Sequence, residues 1–150
     1  MTSELEKRIG RILVVDDEPA IRALLKKIIE RRGYVVDDAR DGAEAIEFLQ
    51  EHRYDLLLID LMMPNVNGFE LVDYLAREVE RPLPAVIVIT AAAESTPLRQ
   101  LDPSIVHSVI RKPFDIDVIA DLVDAAATTS REGSEAEDDE SDNLIAFPTC

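Results

Sequence analysis

Three short apolar runs limit the fold of this chain more than any other feature. Ile12-Leu13-Val14-Val15, Leu56-Leu57-Leu58-Ile59 and Ala85-Val86-Ile87-Val88-Ile89 are each four or five residues long, and none alternates with polar residues. A strand with one face in water alternates; a continuous apolar run suits a strand covered on both faces, as in a parallel sheet packed between helices. Between the runs the spacing becomes helical. Pro19 sits where a helix begins, Ile21, Leu24, Leu25, Ile28 and Ile29 form one stripe, and Gly33 marks its stop. Asp41-Gly42 opens a second helix with Ala45, Ile46 and Leu49 inward. Phe69, Val72, Leu75, Ala76 and Val79 mark a third, closed by Pro82 and Pro84.

Two more strands complete the pattern. Tyr34-Val35-Val36 is the second; Ile105-Val106 and Val109-Ile110 form the fifth, interrupted by His107 and Ser108. Between Ala91 and Pro103 a fourth helix has room for about two turns, since Pro97 interrupts it. Asp115 caps the last helix, whose inward face is Ile116, Ile119, Leu122 and Val123, with Ala126 near its end. Five strands alternating with five helices predict an α/β fold with a doubly wound parallel sheet.

The strand ends carry the chemistry. Asp16 and Asp17 follow the first strand, Asp60 the third, Thr90 the fourth and Lys112 the fifth. In strand order 2-1-3-4-5 these ends lie along one edge, around the switch point between strands one and three where such sheets bind ligands. Three carboxylates converging there repel one another unless a cation sits between them. Mg²⁺ suits the place, because it takes oxygen ligands and is held by one or two carboxylates plus phosphate oxygens. Asp60 could then attack phosphorus without a general base, as carboxylates are ionised at neutral pH. The metal, the Lys112 ammonium and the Thr90 hydroxyl would each take one phosphoryl oxygen.

Asp16-Asp17, Asp60, Thr90-Ala91 and Lys112-Pro113-Phe114, with the segments ILVVDD (12–17), LIDLMMPNVNG (58–68) and RKPF (111–114), resemble the receiver domain of two-component response regulators. The resemblance implies a flavodoxin-like, three-layer fold over residues 11–127, after a lead-in of residues 1–10. It implies that Asp60 is the phosphoacceptor for a phosphoryl group from a histidine kinase or phosphotransfer protein. It further implies that Asp17, Asp60 and the Met62 backbone carbonyl ligate Mg²⁺, that Asp16 acts through water, and that the Lys112–Pro113 peptide is cis. Phosphorylation would draw Thr90 and Lys112 inward and change how the fourth-helix, fifth-strand and fifth-helix face binds a downstream protein or a second copy.

The chain departs from the family at Val109, where an aromatic residue usually sits three positions before the lysine. Either the switch runs through Thr90 and loop movement alone, or the domain serves mostly as a relay or docking module. Leu101-Asp102-Pro103 replaces the family's usual Gly-Ala turn before the fifth strand. Residues 128–150 form an acidic tail with a disordered composition, and Leu144–Phe147 is a small apolar patch near its end.

Composition excludes several alternatives. The net charge is −15; residues 131–142 contribute −6, and the remaining −9 argues against direct nucleic-acid binding. The one cysteine, Cys150, allows no internal disulfide, and His52 and His107 lack metal-ligand spacing. No signal peptide or membrane span is visible, so a cytoplasmic protein is expected. An aspartyl phosphatase would want an acid where Met62 stands, and Asp16-Asp17-Glu18 replaces the glycine-rich turn of a dinucleotide site. The chain is therefore expected to catalyse only its own phosphorylation and dephosphorylation. The alternatives are a phosphate-independent adaptor of the same fold or a receiver fragment of a longer protein.

Overall fold

The computed structural model describes residues 10–61, 67–78, 83–91 and 101–132. In chain order the elements are β1 (Arg11–Val15), α1 (Pro19–Arg31), β2 (Val35–Ala39), α2 (Gly42–Glu51), β3 (Leu56–Asp60), α3 (Gly68–Glu78), β4 (Ala85–Thr90), β5 (Val106–Arg111) and α4 (Ile116–Glu132). The strands form one sheet in the order β2-β1-β3-β4-β5, and every pairing is parallel. This is the expected doubly wound, flavodoxin-like sheet between two helix layers. The helix expected between β4 and β5 falls mainly in residues 92–100, outside the described residues. So do Met62, Val79, Pro82, Pro97, Leu144–Phe147 and Cys150.

The two faces of the sheet explain the unalternating runs. Leu13, Val15, Leu57, Ile59, Val86 and Val88 pack with Ala45 of α2 and Leu71, Val72 and Leu75 of α3. Ile12, Val14, Leu56, Leu58, Ile87 and Ile89 pack on the other face with Leu25 and Ile29 of α1 and Ile119, Val123 and Ala126 of α4. Residues on both faces of β1, β3 and β4 are thus removed from water, each large one contributing about 2 kcal/mol.

Four local expectations need correction. The second strand runs to Ala39 rather than stopping at Val36. Asp37 and Asp38 are tolerated there because β2 is an edge strand, where charge also discourages pairing with another chain. Ile116 is 39% exposed and Leu24 38% exposed, so neither belongs to the inward face of its helix. Ala76 is exposed as well. Finally, α4 continues to Glu132, beyond the composition change near residue 128.

The interruption in the fifth strand has a definite cause. Val86 stands opposite Val106, but Ile87 stands opposite Ser108, so His107 is an extra residue in the edge strand. Residues three apart in a regular strand face opposite sides; the bulge resets the alternation. Val106 and Val109 therefore both face the α2 and α3 side, while Ile110 faces α1 and α4. Burial holds the His107 pKa below its ordinary value, and its Nδ1 lies 2.7 Å from Ser108 Oγ.

Helix ends follow local chemistry. Asp41 accepts from the Glu44 N–H at 2.9 Å while Glu44 accepts from the Arg40 N–H at 2.8 Å. At the start of α3 the exchange is fully reciprocal: Asn67 accepts from the Glu70 N–H at 3.0 Å and Glu70 accepts from the Asn67 N–H at 2.9 Å. Asp115 accepts from the Asp117 N–H at 2.8 Å. Gly33, at φ 98°, takes the left-handed turn that ends α1.

Candidate functional site at the carboxyl edge of the sheet

Register brings the strand ends together. Val15 of β1 lies beside Ile59 of β3, so Asp16 and Asp60 leave neighbouring strands at the same level. Asp60 pairs with Ile89 and Thr90 with Arg111, which puts Thr90 and Lys112 on the far side of Asp60 from Asp16. Main-chain bonds carry the order past the strands: Leu61 N–H donates to Ile89 O at 3.1 Å, and Lys112 N–H donates to Thr90 O at 2.8 Å.

Asp16, Asp17 and Asp60 each offer a carboxylate oxygen, and these oxygens lie within 4.8 Å of one another. Asp60 and Asp16 are 5% and 1% exposed, whereas Asp17 faces solvent. The site is therefore a nearly dry floor with one open side. Lys112 Nζ reaches over it, 3.5 Å from Asp60 Oδ2 and 3.7 Å from Asp16 Oδ2. Thr90 is fully buried at the next strand end. The Lys112–Pro113 peptide is cis.

Asp16 is held under electrostatic strain. Its Oδ1 accepts from the Glu18 N–H at 2.9 Å, but its buried Oδ2 has no hydrogen-bond partner. Burial pushes its pKa above the ordinary carboxylate value, and the Asp17 and Glu18 charges add to the rise. The Glu18 N–H and the Lys112 ammonium oppose it without cancelling it. A buried polar atom left without a partner costs about 1–3 kcal/mol. An oxygen-seeking dication between the three carboxylates would relieve that cost, so the donor set fits Mg²⁺.

Two residues that sequence reasoning undervalued shape this edge. At Gly68 the constraint is proximity: an added Cβ would lie 2.6 Å from Leu61 Cα and 3.0 Å from Asp60 O. Its N–H donates to Leu61 O at 3.0 Å, drawing the start of α3 back onto the end of β3. Arg22, in α1, donates from Nη1 to the Asp16 main-chain carbonyl at 2.8 Å and from Nε to Asp38 Oδ2 at 2.9 Å. A cation six positions after Asp16, beside an apolar stripe, was its only signal in the sequence.

The other expected site positions divide. Val109 pairs with Val88 and packs, half-buried, on the α2 and α3 face. Met62 lies outside the described residues. His52 and His107 stand apart from the acidic cluster, which holds only aspartates among the described residues.

Known proteins resemble this chain in sequence and fold. The response regulator receiver domain model matches residues 12–124. The transcriptional regulatory protein ResD of Bacillus subtilis is 40% identical over 104 residues, covering 69% of this chain and 42% of that protein. The transcriptional regulatory protein SrrA of Staphylococcus aureus is 37% identical over 105 residues, 70% of this chain and 42% of that one. The chain thus spans about two fifths of the length of these curated relatives. Among solved structures, the response regulator TrrA of Thermotoga maritima, in complex with Mg²⁺-BeF, gives a TM-score of 0.68 at 31% identity. That match covers 79% of this chain and 99% of the other. The receiver domain of a signal transduction histidine kinase from Syntrophus aciditrophicus gives 0.69 at 31% identity, covering 92% and 99%. On its sequence, its sheet and the acids at the sheet's edge, this chain belongs to the response regulator receiver domain family.

Proposed function

We propose that Asp60 is the phosphoacceptor of a phosphorylation-driven switch or relay, taking its phosphoryl group from a histidine kinase or phosphotransfer protein. The observation that carries this reading is the meeting of three carboxylates within 4.8 Å, with the Lys112 ammonium 3.5 Å from Asp60. In the transfer an Asp60 oxygen bonds to phosphorus, the P–N bond of the donor phosphohistidine breaks, and its electron pair returns to the imidazole. Mg²⁺ at this edge would neutralise charge on the phosphoryl oxygens. Asp17 and Asp60 would hold it directly with the Met62 carbonyl, and Asp16 through water. The Lys112 ammonium would take a second phosphoryl oxygen and the Thr90 hydroxyl a third. The buried floor keeps bulk water from the acyl phosphate, which Asp17's side leaves open for the donor.

Residues 11–127 form the receiver in this reading, with 1–10 as lead-in and 128–150 as an acidic tail that begins within α4, and the chain acts in the cytoplasm on a protein target. No described helix is long and apolar enough to cross a membrane. The expectation of no direct nucleic-acid contact concerns these 150 residues alone, and rests on their excess of acid. Beyond its own phosphorylation and dephosphorylation the chain catalyses nothing.

A second reading, a phosphate-independent adaptor, draws on Val109, whose packing against the core offers no aromatic ring to swing. Intact-mass measurement after incubation with acetyl phosphate separates the two. The phosphoacceptor reading expects a Mg²⁺-dependent gain of one phosphoryl group, absent in Asp60→Asn. No gain in the wild type, with no Mg²⁺ uptake by titration, leaves the adaptor.

A further inference from the structure

Between the acidic edge and β2 lies a cation that phosphoryl chemistry does not require. Arg22 spans two acceptors on different elements, the Asp38 carboxylate of β2 at 2.9 Å and the Asp16 carbonyl at 2.8 Å. Lys26, one turn further along α1, also reaches Asp38, at 3.4 Å. The Asp16 N–H donates to Ala39 O at 3.1 Å, so both sides of this residue's main chain are tied toward the end of β2. The carbonyl that Arg22 holds belongs to the Asp16–Asp17 peptide. Fixing that peptide plane fixes the direction in which the chain leaves the buried acid and presents the exposed one.

We propose that Arg22 is a positioning residue for the divalent-cation site. Its planar guanidinium pins the Asp16–Asp17 peptide against the end of β2, so that the exposed Asp17 carboxylate stays within ligand distance of Asp16 and Asp60. The inference rests on the metal-dependent reading given above. It has a sign that a simple charge effect does not share. Arg22 is positive, so electrostatics alone predicts that its loss strengthens binding of a dication. Loss of a group that orients a ligand weakens it, commonly by 10–100-fold.

Titration calorimetry of the full chain with Mg²⁺, paired with thermal melts, decides between them. Arg22→Gln is expected to bind Mg²⁺ about tenfold more weakly than wild type. Arg22→Lys keeps the charge but cannot span both acceptors, so it should weaken binding too. Asp38→Asn leaves the bond to the Asp16 carbonyl and should bind more tightly than either Arg22 variant, even where its melting temperature falls as far. Wild-type or tighter affinity in Arg22→Gln overturns the inference; if that variant does not fold, wild-type affinity in Arg22→Lys does so. A wild-type protein that takes up no Mg²⁺ overturns the functional reading itself, and the inference with it.

Discussion

The two ends of the sheet treat charge in opposite ways. Near the amino edge, Asp37 accepts from the Tyr54 hydroxyl at 2.6 Å and from Arg11 Nε at 3.0 Å. Asp55 accepts from the Arg11 N–H at 2.8 Å, and its own main chain bonds to β1 and to the start of β4. The Arg11 guanidinium also lies over the Tyr54 ring. Burial would raise the Asp37 pKa, but the Tyr54 and Arg11 contacts outweigh it and hold it below the ordinary range. At the carboxyl edge three carboxylates converge, two of them, Asp16 and Asp60, beside the Lys112 ammonium, and a buried Asp16 oxygen has no hydrogen-bond partner. One end pairs its acids with its own residues; the other leaves a buried Asp16 oxygen without a hydrogen-bond partner, which the proposed cation would engage.

The largest expected effect that tests this contrast is steric. Gly68→Ala forces a Cβ into the Leu61 backbone and should destabilise the protein by about 3 kcal/mol in chemical denaturation. It should also weaken Mg²⁺ binding, because the clash is transmitted to the main chain of Asp60. Tyr54→Phe removes a hydrogen bond to a charged group and should cost about 2 kcal/mol. Its Mg²⁺ affinity should match wild type, and a weakened affinity would show that the two ends are coupled.

Asp16→Asn should do the reverse. Replacing a buried, repelled charge should stabilise the metal-free protein by about 1 kcal/mol while weakening Mg²⁺ binding. A loss of metal-free stability instead would mean that Lys112 already compensates Asp16 fully.

The smallest effect is in pH dependence, measured on metal-free protein. The Asp16 pKa is raised in the folded state, so its charge costs stability fully above that raised value, and the cost vanishes as pH falls to the ordinary 3.8. The advantage of Asp16→Asn should therefore close between neutrality and about pH 4. The Asp37 pKa is lowered, so its contribution is full above 3.8 and is lost only as pH falls through the folded value. The deficit of Asp37→Asn should persist to lower pH than the advantage of Asp16→Asn.

Most of the carboxyl edge was legible because each residue there announces a chemical role and ends an apolar run. Asp16, Asp60, Thr90 and Lys112 needed only strand order to bring them together, and the sheet has the order 2-1-3-4-5 that the reading assumed. The failures share a cause: they depend on tertiary neighbours. Asp37 and Asp38 look unlike strand residues until β2 is known to be an edge with Arg11, Tyr54 and Arg22 beside it. Ile116 looked inward on periodicity, but the helix that begins there turns that position to solvent. His107 and Ser108 read as an interruption, because a one-residue bulge cannot be told from a weak strand without the partner strand. Gly68 and Arg22 act through main-chain atoms of other residues, which leave no trace in residue types.

The central claim is that the unsatisfied edge exists to receive a phosphoryl group on Asp60. The direct test is to phosphorylate the chain with acetyl phosphate and Mg²⁺, reduce the product with borohydride, and map the modified residue by peptide mass spectrometry. The account predicts homoserine at position 60, formed only when Mg²⁺ is present during phosphorylation. Homoserine at Asp16 or Asp17, or a phosphoryl group that resists borohydride because it is not an acyl phosphate, would contradict it.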